Sequence, residues 1–309
     1  MAGGLVIRDF RVEDAPAVAG LAPEYQVVTP EGLLHMLATY PVRARARAWI
    51  VEEDGCVAGF ALARFKWATS AVDVGRIHMH APSHELFERA EQHLRSHGAR
   101  KLLTYGPGEA WPLFAQRGYT PTRESIFSVL EPRAVELPPR GDVVVLSLRE
   151  LAHREREVYR LYMETDADMP GDHVEDNVSF GEWHAETFTH PDLVHDGSFV
   201  VLLDDRPVAL AFLAVDRERG LGWNEMTGTL AELRGRGLAT LAKLATVRWA
   251  GEQGLRRVYT SNDSENVAML AVNRGLGYRP VAFLRDYERA GREGTTAKTP
   301  SSMTRTWAP

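Results

Sequence analysis

Between residues 225 and 249 the hydrophobic pattern changes period once. Glu225-Met226-Thr227-Gly228-Thr229-Leu230 suits an extended strand, while Leu238, Leu241, Ala245 and Trp249 recur at helical spacing and predict one buried stripe. Short apolar runs and helical stretches alternate in the same way along the rest of the chain. Leu5-Val6-Ile7-Arg8 predicts a strand leading into a helix over Asp14–Leu21, and Val143-Val144-Val145-Leu146 a strand before a helix over Glu150–Met163.

The pattern also repeats. Gly98-Ala99-Arg100-Lys101-Leu102-Leu103-Thr104 parallels Gly254-Leu255-Arg256-Arg257-Val258-Tyr259-Thr260, and Arg117-Gly118-Tyr119-Thr120-Pro121 parallels Leu276-Gly277-Tyr278-Arg279-Pro280. The paired strands around Asp54-Gly55 mirror those around Asp204-Asp205. Three matches in one order predict two copies of one fold. The proline-rich stretch Glu131–Gly141 would connect them, since it cannot continue a helix or a strand. The predicted organisation is a first copy over 1–135, a second over 142–290 and a polar tail over 291–309 without chemistry. Strands mixed with helices on both faces give an α/β or α+β sandwich in each copy.

Bulk properties narrow the function. With 309 residues, of which 44% are hydrophobic, the chain can build two sizeable cores. A net charge of −6 supplies no basic footprint for nucleic acid or for an anionic membrane, and neither is expected as a partner. The single Cys56 forms no internal disulfide and is expected in the core. The eleven histidines show no paired ligand spacing, so no metal is expected. No leader-like segment opens the chain and no run is long enough to span a bilayer, which points to the cytoplasm.

Chemistry is concentrated in Arg234-Gly235-Arg236-Gly237-Leu238-Ala239, between the predicted strand and helix. A glycine turn there would aim unpaired N–H groups and the positive end of the helix dipole at a pyrophosphate. A nucleoside-triphosphate loop needs Gly-Lys-Ser/Thr, whereas Leu238 follows Gly237. A dinucleotide fold needs three spaced glycines in an early β-α-β unit, and this loop is late and has two. The loop matches the Arg/Gln-x-x-Gly-x-Gly/Ala signature through Arg234, Gly237 and Ala239. With Lys243, Trp249-Ala250, Gly254, Asn262, Asn266, Met269, Asn273 and Leu276-Gly277-Tyr278, residues 195–285 resemble the GNAT superfamily of acyl-CoA transferases.

That resemblance implies two tandem GNAT-like domains, each a mixed, mostly antiparallel sheet that splays between its fourth and fifth strands to admit the pantetheine arm of acetyl-CoA. Backbone groups of Arg234, Gly235, Arg236, Gly237, Leu238, Ala239 and Thr240 would hold the pyrophosphate, with the arginine side chains adding charge-assisted bonds. Thr227 and Thr229 would offer strand backbone to the thioester carbonyl and the pantetheine amide. Asn262 and Asn266 would make polar contacts to the same cosubstrate; alternatively, Asn262-Asp263-Ser264 simply caps a helix. Asn273 stands where many members carry a proton-donating tyrosine, and an asparagine cannot take that role. The first copy, with Ala81-Pro82-Ser83-His84 in place of the glycine loop, lacks the cradle and is degenerate.

An attacking amine must lose a proton, and Glu225 is the carboxylate on the cofactor strand. Strict alternation puts it on one face with Thr227 and Thr229. Asp166, Asp168, Met169, Pro170, Trp183 and His184 occupy the region that covers the acceptor in relatives. The expected activity is an N-acyltransferase moving acetyl from acetyl-CoA to a primary amine of a small molecule; a homodimer is compatible with the chain. A non-catalytic CoA-sensing or scaffold protein is the alternative.

Overall fold

The computed structural model describes residues 5–68, 73–81, 83–167 and 178–290. The predicted tail, Pro82, and Asp168, Met169 and Pro170 lie outside the described residues. The first half runs through strands β1 (Val6–Asp9), β2 (Arg47–Glu53), β3 (Cys56–Phe65), β4 (Val74–His80), β5 (Lys101–Pro107) and β6 (Thr120–Leu130). Its helices are α1 (Ala15–Leu21), α2 (Pro30–Thr39), α3 (His84–Ser96) and α4 (Trp111–Gln116). The second half repeats the order with β7 (Val143–Ser147), β8 (Phe199–Leu203), β9 (Arg206–Asp216), β10 (Leu221–Thr229), β11 (Arg257–Asp263) and β12 (Arg279–Ala290). Helices α5 (Glu155–Asp166), α6 (Phe180–Trp183), α7 (Leu238–Glu252) and α8 (Val267–Leu276) accompany them.

All these strands join one 12-stranded sheet in the order β1-β2-β3-β4-β5-β12-β6-β11-β10-β9-β8-β7. The pairing is antiparallel except at β4–β5 and β10–β11, as expected for a mixed, mostly antiparallel sheet. The last strands are exchanged: β6 pairs with β11 of the second half, and β12 lies between β5 and β6. The coil around 131–140 therefore separates the halves in sequence, while hydrogen bonding runs across them.

Side chains lock the exchange. Tyr287 of β12, 1% exposed, enters the first-half core, its ring 4.7 Å from Phe114 and 5.4 Å from Trp111. Burying an aromatic of that size contributes about 2–3 kcal/mol. Glu91 of α3, also buried, accepts from Arg117 at 2.8 Å and from Arg289 of β12 at 3.0 Å. Reciprocally, Phe127 of β6 packs on Trp223 of β10 with ring centroids 5.8 Å apart. The first half thus reaches the second half's parallel strand pair.

Candidate active site

The strands β10 and β11 pair only over Leu221–Trp223 against Arg257–Tyr259, and then part. A bulge causes the departure. Asn224 pairs with Leu213 but Thr227 with Ala211, so β10 carries one residue more than β9 across this stretch. Asn224 secures the bend by donating to the Phe212 carbonyl at 2.9 Å, while the Thr260 hydroxyl donates to the Asn224 carbonyl at 3.0 Å. Beyond this crotch opens a cleft of about 410 Å³, lined among others by Asp166, Glu225, Thr227, Lys243, Asn262 and Asn266. Arg123 and Ser125 of β6 add first-half residues to its wall.

The bulge corrects one expectation from strand alternation. Thr227 comes round to the side of Asn224, to whose Oδ1 its hydroxyl donates at 3.1 Å, so Glu225 and Thr227 do not share a simple face. Both still line the cleft. Thr229 is buried farther along the strand, paired with Ala209, and lies outside the cleft wall.

The glycine loop stands at the start of α7. Gly235 and Gly237 take φ of +76° and +75°, a left-handed backbone that favours glycine, and a Cβ on either would meet no protein atom within 4 Å. No side chain caps α7 at Gly237, so the first N–H groups of Leu238, Ala239 and Thr240 remain available to an anion. The Arg236 carbonyl accepts from Arg140 at 3.2 Å, and its guanidinium lies 3.4 Å from Asp142, tying the loop to the connector. Arg234 is exposed. The corresponding α3 in the first half differs: Ser83 caps it by accepting from Leu86 N at 3.1 Å, so its own chain consumes a free donor.

The asparagines divide. Asn262 and Asn266 line the cleft, and Asn266 also caps α8, its Oδ1 accepting from Met269 N at 3.1 Å. Asn273 is buried behind them and donates to Asn262 Oδ1 at 2.6 Å. Trp183 is a core residue and His184 lies 3.3 Å from Glu155; neither reaches the cleft wall. Cys56 is exposed rather than in the core, because it is the first residue of β3 after the Asp54-Gly55 turn.

Electrostatics single out three groups. Solvent reaches Glu225 through the cleft, yet the protein packed around it, then the charge of Asp192, raises its carboxyl above the ordinary range. Glu186 is pushed up to about 7, first by burial; the charge of Arg64 opposes the shift, and those of Glu225 and Glu182 add to it. It projects from a π-helical turn over His184–Phe188, a register that helical periodicity does not reveal. Burial lowers the Lys243 ammonium to about 7.

A mixed sheet split beside an uncapped glycine loop, built twice with the loop kept once, defines a tandem acyltransferase-type fold. The family model described as Acetyltransferase (GNAT) family matches residues 152–278. A tandem GNAT protein from the clavulanic acid biosynthesis pathway aligns at a TM-score of 0.70 and 17% identity, over 93% of this chain and 98% of that one. A GCN5-related N-acetyltransferase from Sphaerobacter thermophilus gives 0.67 and 18%, over 93% and 95%. No curated protein sequence matches the chain significantly. Residues 152–278 thus match the GNAT acetyltransferase family, and the whole chain shares its fold with a tandem GNAT structure.

Proposed function

We propose that the protein is an acyl-CoA-dependent N-acyltransferase that moves acetyl from acetyl-CoA to the primary amine of a small molecule. The observation that carries this reading is the junction of an uncapped Gly235/Gly237 loop with a split sheet whose cleft contains Glu225. Residues 142–290 would hold acetyl-CoA, with the loop from Arg234 to Thr240 on its pyrophosphate and Asn262 and Asn266 along its arm. Residues 1–135 would be a degenerate copy supplying part of the cleft wall. No helix among the described residues is long and apolar enough to cross a membrane, and the reading places the reaction in the cytoplasm.

An amine acceptor suits the acids gathered here. Asp192 and Glu186 act electrostatically on, or feel, the same Glu225, making a negative field that favours a cationic amine. Glu225 would take the proton of the attacking nitrogen, and that nitrogen would attack the thioester directly. Cys56, exposed at the start of β3, is not part of the cleft wall, so no acyl-enzyme is assigned to it.

Acetyl-CoA offered with a panel of small primary amines tests the reading through release of free thiol and mass detection of the N-acetyl product. Acetylated product is expected with at least one amine. Retained CoA binding without turnover across the panel would favour the CoA-sensing or scaffold alternative.

A further inference from the structure

The buried face of α7 is apolar at Leu238, Leu241, Ala242, Ala245 and Ala250, and Lys243 interrupts it at 1% exposure. Burying an ammonium is costly unless it is paired, so its surroundings matter. Its Nζ lies 3.4 Å from Thr260 Oγ1 and 5.0 Å from the centre of the Tyr278 ring. Thr260 already spends its own proton on the Asn224 carbonyl, which leaves its oxygen to accept from Lys243. Among the described residues, no carboxylate stands within ion-pair distance of Nζ. The other charged groups around the cleft are Asp166 on α5, Glu225 on β10, Asp263 on β11, Arg123 on β6 and Asp286 on β12.

This lysine sits at the crotch where β10 and β11 part, and it forms part of the same cleft wall as Glu225. A proton acceptor and a proton donor therefore share one compartment. We propose that Lys243 is the acid that delivers a proton to the sulfur leaving the acyl donor. The inference rests on the acyl-transfer reading.

The balance is simple. The amine nitrogen bonds to the acyl carbon, the carbon–sulfur bond breaks, and its electron pair goes to sulfur. Lys243 gives that sulfur a proton and becomes a neutral amine, while Glu225 takes the proton of the attacking nitrogen. Exchange with water restores both side chains; no net proton is released from a neutral amine, and an ammonium that first gives up a proton to water releases one per acylation. Burial sets Lys243 near the working pH, as a general acid requires, whereas an ordinary lysine would hold its proton too tightly. Asn273 has no proton to give, and Tyr278 lies beneath Lys243 outside the cleft wall.

Titration of CoA bound to the protein tests this without any amine. The ultraviolet thiolate band of bound CoA, referenced to desulfo-CoA, is followed against pH in the wild type, Lys243→Met and Lys243→Gln. The lysine should stabilise the thiolate, so its removal should raise the thiol pKa by about one unit, a roughly tenfold loss of thiolate at a given pH. Calorimetry with desulfo-CoA should give nearly unchanged affinity in at least one variant, showing an intact cleft. Identical thiol titration in all three proteins overturns the role of Lys243 and leaves acyl transfer standing. Failure of the wild type to bind CoA overturns both. A preference for succinyl-CoA over acetyl-CoA that disappears in the variants, with unaltered thiol titration, overturns it in favour of a lysine that binds acyl carboxylates.

Discussion

Asn273 donates from its side-chain amide to Oδ1 of Asn262 at 2.6 Å, linking the interior of α8 to the cleft end of β11. Asn262 lines the cleft and Asn273 does not. Asn273 thus acts by positioning its neighbour. Asn273→Ala should free Asn262 and cost about 0.5–1.5 kcal/mol, which is roughly a two- to tenfold rise in the Kd for CoA. Calorimetry of CoA binding reads this directly. An unchanged Kd would mean that Asn262 needs no such anchor.

Gly237 offers a sharper perturbation. At φ +75° any other residue is strained by roughly 1–2 kcal/mol, and its side chain would occupy the space in front of the first free N–H groups of α7. Gly237→Val should melt somewhat lower and lose CoA binding by at least about a hundredfold, which is more than the strain alone explains. Ser83→Ala, at the capped start of α3, should leave CoA affinity unchanged. Equal CoA affinity in the wild type and the Gly237 variant would remove the loop from the site.

The glycine loop, the flanking strand and helix, and the doubled fold were legible in sequence because each depends on local pattern. Gly235 and Gly237 announce a left-handed turn, and Leu238, Leu241 and Ala245 announce the buried face behind it. Other features depend on contacts between distant segments. The exchange of β6 and β12 is set by pairings such as Val258 with Leu130, which no local pattern encodes. The bulge at Glu225 breaks the period on which the shared face with Thr227 was inferred. Glu186 gives no signal in sequence because a π turn displaces it from any helical stripe, and Lys243, although part of the family resemblance, owes its place in the cleft wall to contacts with Thr260 and Tyr278 on other segments.

Glu186 should leave a mark on stability. Its folded pKa of about 7 stands above the ordinary carboxylate value of 4.5. Between those values the folded state keeps a proton that the unfolded chain has released, so stability falls as pH rises and the loss is complete above about 7. Glu186→Gln cannot ionise. It should therefore raise Tm relative to the wild type at about pH 8 and narrow to little difference at about pH 4. Melting curves across this range check the sign, and a constant offset at every pH would show that Glu186 ionises normally in the folded protein.

Glu225 should govern the chemical step. Its carboxyl is held above the ordinary range by burial and by Asp192, which makes it a better proton acceptor near neutrality than an exposed glutamate. Glu225→Gln keeps the size and the cleft, so CoA affinity should stay close to that of the wild type. The rate with a confirmed amine should fall roughly 10²–10⁴-fold, the range of general-base catalysis, and the acid limb of the pH–rate profile should disappear. Glu186→Gln is the discriminating partner, because its carboxylate lies in the same electrostatic field. If the acid limb survives in the Glu225 variant but vanishes in the Glu186 variant, the base is Glu186. Should both variants turn over like the wild type, proton removal belongs to water, and catalysis rests on positioning the amine against the thioester.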